Sequence, residues 1–151
     1  MSDELRELYQ EVILDHNRKP RNRRAMADAT AHADGFNPLC GDKVQVFVKL
    51  EGDRIADVSF DGQGCAISTA SASLMTTELK GKTLAEAKEI FERFHAMVTG
   101  EPGATVEDDR LGKLLVFQGV CEFPVRVKCA TLAWHTLKAA IERTSGQVST
   151  E

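Results

Sequence analysis

The chain has 151 residues, 42% apolar and 28% charged, a size and balance that suit one globular domain with a core of its own. Its formal net charge of −4 argues against a general nucleic-acid grip, and no run approaches the roughly 20 apolar residues of a membrane span. The polar start Met1-Ser2-Asp3-Glu4 is unlike a signal peptide, so a cytoplasmic location is expected, where four cysteines point to metal binding or thiol chemistry before disulfides.

Leu5, Leu8, Tyr9, Val12 and Ile13 recur on one helical stripe, with Asp3, Glu4 and Glu7 near the positive end of the dipole. This predicts a first helix over about residues 2–17. Pro20 and the basic run Arg18-Lys19-Pro20-Arg21-Asn22-Arg23-Arg24 end it. The run reads as a solvated connector, and the polar, Ala-rich piece as far as Asp34-Gly35 has no period, which predicts a mobile link. Helix and link make up residues 1–36, ahead of a core over 37–143.

The core opens on Asn37-Pro38-Leu39-Cys40-Gly41-Asp42, where a thiol and a carboxylate flank a glycine and can aim at one point. Val44, Val46, Val48 and Leu50 then alternate with Lys43, Gln45, Phe47 and Lys49, the pattern of a half-buried strand. Glu51-Gly52-Asp53 supplies a turn, and residues 54–60 complete an antiparallel hairpin. Cys40 and Asp42 would lie in the loop entering this sheet and Cys65 just past its exit, at the same end.

The turn Asp61-Gly62-Gln63-Gly64-Cys65 runs into a stretch of small residues that suits a helix pressed against the sheet, closed by Gly81. A thiol at that helix start feels the positive end of the dipole, so Cys65 is fit to be a ligand or a nucleophile. Thr83-Leu84-Ala85-Glu86 has the form of a capping box, and Leu84, Ala87, Ile90, Phe91, Phe94 and Val98 continue as a helical stripe. Gly100-Glu101-Pro102-Gly103 breaks that helix. The acidic run Glu107-Asp108-Asp109 then leads into one short helix through Leu111, Leu114, Leu115 and Phe117, ended by Gly119. Pro124 begins a last helix with Cys129 in its first two turns, and the tail over 144–151 is expected to fray.

Cys40, Asp42, Cys65 and Cys129 could together make a tetrahedral shell of three sulfurs and one oxygen. No CxxC occurs, so that shell needs three separate loops to converge, and each cysteine has a second reading as a small buried hydrophobe. For Cys121 the hydrophobe is the favoured reading. His16, His32, His95 and His135 have no partner at ligand spacing and are read as solvent-facing or satisfied.

Several stretches resemble the SufU-type iron-sulfur assembly proteins within the IscU and NifU N-terminal scaffold group. They are Leu8-Tyr9, Ile13-Leu14-Asp15-His16, Pro20-Arg21-Asn22, the Asn37 to Asp42 motif and Gly64-Cys65-Ala66-Ile67-Ser68 with Ala70-Ser71-Ala72-Ser73. Gly81-Lys82 and Arg126-Val127-Lys128-Cys129-Ala130-Thr131-Leu132 complete the match, which spans nearly the whole chain. The resemblance implies an α+β domain, a small mostly antiparallel sheet with packed helices, and the four side chains gathered at one exposed end. It implies Zn2+ on Cys40, Asp42, Cys65 and Cys129, and a sulfurtransferase that takes persulfide sulfur from a SufS-type cysteine desulfurase. Other SUF assembly proteins are further expected partners.

Two features point to the SufU branch of that group. Scaffold members carry a histidine where this chain has Lys128, and the stretch over residues 99–119 looks like the SufU insertion. The scaffolds' chaperone-binding motif is only partly present, as Phe123-Pro124-Val125-Arg126. On this reading Cys40 is the sulfur acceptor, released when the desulfurase donates a histidine to zinc, while Asp42, Cys65 and Cys129 stay bound. Arg126, one turn before Cys129, is expected to steady the anionic group or to be a plain surface arginine. The alternative is a scaffold that builds an iron-sulfur cluster on Cys40, Cys65 and Cys129, with Asp42 as a labile fourth ligand. A third reading is a structural zinc domain.

Overall fold

A computed structural model describes residues 3–100 and 108–142, together with the backbone of Gln147–Ser149. Helix α1 (Asp3–Arg18) is followed by strands β1 (Ala31–Asn37), β2 (Asp42–Glu51) and β3 (Arg54–Gln63), then helices α2 (Ala66–Leu79) and α3 (Leu84–Val98). A 3₁₀ segment (Asp109–Glu122), helix α4 (Pro124–Glu142) and strand β4 (Gln147–Ser149) complete the order. The sheet runs β3-β2-β1-β4, antiparallel except for β4, which lies parallel to β1. This is the expected α+β architecture, and no helix among the described residues is long and apolar enough to cross a membrane.

The alternation along β2 sends Val44, Val46 and Val48 into the core, where Val46 and Val48 are fully buried, and leaves Lys43 and Gln45 in solvent. Helix α4 covers β1 and β2, while α2 lies against β3 and α4. The small side chains of α2 make that close fit possible. Ser71 Oγ donates to the Ala130 carbonyl at 2.5 Å and accepts from Trp134 Nε1 at 3.1 Å, so the buried polar atoms between the two helices are paired. Helix α3 starts on a complete capping box, with Thr83 Oγ1 accepting from Glu86 N and Glu86 accepting from Thr83 N.

The expected mobile link over residues 18–36 is instead fixed, and its second half is a strand. Arg21 pairs with Asp15, Arg23 donates to the Gly62 carbonyl, and Arg24 pairs with Asp57, so the basic run is tied to α1 and β3. Asn22, held at a positive φ of 57°, donates to Thr76 on α2. β1 does alternate, but its inward residues are Ala33, Gly35 and Asn37, so no hydrophobic period marks it. Glycine is required because α4 crosses there: a Cβ on Gly35 would come within 2.1 Å of Thr136 Oγ1.

Three other expectations are corrected. Asp42 is the first residue of β2, not part of the loop before it. The segment after Asp108 is a longer 3₁₀ stretch with a break at Gly112, and it continues past Gly119 to Glu122. Within the tail, Gln147–Ser149 pairs with β1 where fraying was expected. The remainder of the tail, and residues 101–107 of the suspected insertion, lie outside the described residues.

His16 is the one buried residue of α1, with Nδ1 2.7 Å from Ser73 Oγ, which also accepts from Arg21 N. Burial holds its pKa below the ordinary 6.5, because an imidazolium would lose its hydration there. The folded state therefore binds this proton less readily than the unfolded chain, and stability present above pH 6.5 is lost on acidification through and below that value. Urea midpoints measured on either side of it are expected to drop toward acid in the parent and to drop less in His16→Asn.

Candidate metal centre

Four elements meet at one end of the sheet. β1 and β2 are joined by a turn over residues 38–41, and Gly41 adopts a φ of 71° that a side chain would disfavour. Cys40 sits exposed on this turn, and Asp42 follows as the buried first residue of β2. Cys65 is the N-cap of α2, its sulfur accepting from Ser68 N at 3.4 Å. Cys129 is buried on α4, 2% exposed.

These placements bring three of the four expected side chains into one group and leave Cys65 beside it, in reach of Asp42. The ligating atoms of Cys40, Asp42 and Cys129 all lie within 4.8 Å of one another. Cys129 Sγ is 3.3 Å from Cys40 Sγ, and Cys65 Sγ is 4.0 Å from Asp42 Oδ2. Donors around a tetrahedral zinc with sulfur bonds of about 2.3 Å stand roughly 3.8 Å apart, so Cys40, Asp42 and Cys129 are spaced to hold such an ion, while Cys65 has to move inward to complete the shell. Asp42 is already oriented: Oδ1 accepts from Cys65 N at 2.8 Å, which leaves Oδ2 facing the sulfurs. The close approach needs Gly64, whose Cβ would come within 3.0 Å of Asp42 Oδ1.

The thiols are electrostatically unequal. The Cys65 pKa falls to about 7, first because Cys129 hydrogen-bonds to its sulfur and then because backbone amides at the helix start do so. Cys129 moves the opposite way, raised by that same bond to Cys65 and by burial. In the absence of an ion the proton stays on Cys129, and Cys65 is the readier thiolate. The asymmetry is what two sulfurs sharing one proton produce.

Asn37, which the sequence presents only as part of the Cys40 motif, proves central to the geometry. It is fully buried, and its Nδ2 donates to Asp42 Oδ2 at 3.2 Å and to Cys129 Sγ at 3.5 Å. The available signal was an asparagine immediately ahead of a turn, whose side chain commonly bonds the backbone two residues on.

Arg126 lies with Cys40, Cys65 and Cys129 along a cleft of about 660 Å³ between α1, the 3₁₀ segment and α4. Its guanidinium stacks over Phe123, 4.5 Å from the ring centre. Leu14, Phe123 and Val125 line the cleft and are about half exposed, so the approach to the thiols is apolar. Cys121 is not in the group; its sulfur lies 3.3 Å from the Gln118 carbonyl. The four histidines are elsewhere: His16 on Ser73, His32 against Phe47, and His95 and His135 around Phe91.

Comparison with known proteins gives a consistent picture. Residues 8–130 match the NifU-like N terminal domain. The chain is 41% identical over 139 residues to the zinc-dependent sulfurtransferase SufU of Bacillus subtilis, covering 92% of each protein. It is 40% identical over 141 residues to the iron-sulfur cluster assembly scaffold protein IscU of Streptococcus pyogenes, covering 93% of this chain and 87% of that one. Among solved structures, an iron-sulfur cluster assembly scaffold protein for the SUF system from Fervidobacterium islandicum superposes with a TM-score of 0.81 at 36% identity, over 89% of this chain and 97% of the other. A NifU-like N-terminal structure from Brucella abortus shares the fold at a TM-score of 0.80 and 21% identity, over 92% and 97% of the two chains.

Proposed function

Since the chain belongs to the NifU-like N-terminal domain family, we propose that it works in iron-sulfur cluster assembly as a zinc-dependent sulfurtransferase, accepting persulfide sulfur from a cysteine desulfurase. The observation that carries this reading is the unequal exposure of the donors at this end of the sheet, three of them grouped and Cys65 beside them. Cys40 stands out on a turn, whereas Asp42 and Cys129 are buried and Cys65 is built into a helix cap. A site whose only task was to hold a metal would have no need of one exposed thiol among buried donors.

Cys40, Asp42, Cys65 and Cys129 would hold the ion, which when bound keeps the thiolates deprotonated and protected. Sulfur acceptance is then work for Cys40. Its thiolate attacks the outer sulfur of the donor's persulfide, a new sulfur–sulfur bond forms on Cys40, the donor's own sulfur–sulfur bond breaks, and the donor cysteine leaves as a thiolate. The apolar lining of the cleft suits the loop of a protein donor, and Arg126 lines the same cleft, where its charge would balance the extra negative charge of a bound persulfide.

The scaffold reading has its own support, because the same donors suit an iron-sulfur cluster and the Streptococcus pyogenes relative carries that description. Metal analysis of the purified protein, run beside desulfurase turnover with and without it, separates the two. Zinc at one equivalent, no visible chromophore and a faster desulfurase support the transferase. A visible iron-sulfur chromophore that passes to an apo-acceptor, with desulfurase turnover unchanged, supports the scaffold.

A further inference from the structure

If Cys40 leaves the group to take sulfur, the other donors must be held while it moves, and this part of the argument rests on the function proposed above. We propose that Asn37 is the positioning residue that does this, one amide tying Asp42, Cys129 and the root of the Cys40 turn together. Asn37 ends β1 and faces Asp42 across the hairpin. Its two amide protons go to Asp42 Oδ2 and Cys129 Sγ, and its Oδ1 accepts from Leu39 N at 3.3 Å. Three chain segments are thus joined through a side chain that has no exposure to water.

The same bonds set where the turn can flex. Leu39 is anchored on one side and Asp42 on the other, which leaves Cys40 and Gly41 between two fixed points. Gly41 has φ at +71° and nothing within 4 Å of where a Cβ would stand, so a swing of Cys40 meets no packed neighbour there. Asparagine suits this position because it offers donors on one side and an acceptor on the other. Aspartate has nearly the same shape and keeps the acceptor for Leu39, but it sets a carboxylate against that of Asp42 and removes both donors.

The test is made on the full chain as metal-free protein, treated with a limiting alkylating agent and mapped by mass spectrometry. Cys121 serves as an internal reference, because general loosening speeds Cys121 and Cys129 together. In Asn37→Asp, and in Asn37→Ala if it folds, the rate at Cys129 relative to Cys121 is expected to rise about tenfold, the upper end of what one hydrogen bond contributes. An unchanged ratio in the folded aspartate variant overturns the proposal.

Cobalt titration of the same proteins, read through thiolate-to-cobalt charge transfer, is expected to weaken by about 10–100-fold in the variants. Cobalt binding that is intact in the parent and equally tight in both variants also overturns it. If the parent gives no thiolate-cobalt band while the alkylation ratio still rises, the metal-site reading fails and the positioning role stands.

Discussion

Cys40→Ala is expected to return desulfurase turnover to its unassisted level while leaving the fold intact. The two halves of that result have separate causes. Cys40 is exposed on a turn and contributes nothing to the core, so its removal costs little stability. It is also the most exposed thiol at the site, where Cys65 is partly covered and Cys129 buried. Cys65→Ala and Cys129→Ala should behave differently: the first removes the N-cap of α2, worth about 1 kcal/mol, and the second leaves a gap against Asn37 on a buried face. Cys121→Ala, outside the group, should keep full stimulation. Turnover assays beside urea titrations check all four variants, and a Cys40→Ala protein that stimulates like the parent would end the acceptor assignment.

A large loss of stability is expected from Gly35→Ala. A methyl there would lie 2.1 Å from Thr136 Oγ1, 3.1 Å from Leu132 Cδ1 and 3.2 Å from Val44 Cγ1, with neighbours on both the helix and the adjoining strand. Thr136 cannot turn aside freely, because its hydroxyl donates to the Leu132 carbonyl at 2.7 Å. Relief requires α4 to lift from β1, at a cost on the order of 3 kcal/mol. The displacement would reach the site, since β1 ends at Asn37 and α4 carries Cys129. Adding Thr136→Ala should restore part of the loss, and urea midpoints of the single and double variants measure it.

Much of this was legible because the residues obey local rules. The valines of β2, the capping box of α3 and the small-residue run of α2 each announce an element without reference to the rest of the chain. Part of the site was also readable, because hairpin geometry alone puts the Cys40 turn and Cys65 at the same end of the sheet, but it says nothing of Cys129 on α4, which groups with Cys40 and Asp42 while Cys65 stays beside them. β1 was not readable, since its buried face is made of alanine, glycine and asparagine chosen for the closeness of α4, a tertiary constraint that leaves no hydrophobic period. The basic run likewise read as solvated because its anchors, Asp57, Gly62, Ser73 and Thr76, come from elements far along the chain. Asn37 was hidden for a related reason: two of its partners are close in sequence, but the third is Cys129 on the last helix.

The central claim is that Cys40 receives the sulfur while its three companions remain as donors. It is tested most directly by incubating the zinc-loaded protein with a cysteine desulfurase and free cysteine, trapping thiols, and mapping the transferred sulfur by peptide mass spectrometry. The account predicts one added sulfur atom on the peptide carrying Cys40 and none on those carrying Cys65, Cys121 or Cys129. Sulfur found first on Cys65, the readier thiolate of the metal-free site, or on Cys121, would contradict it.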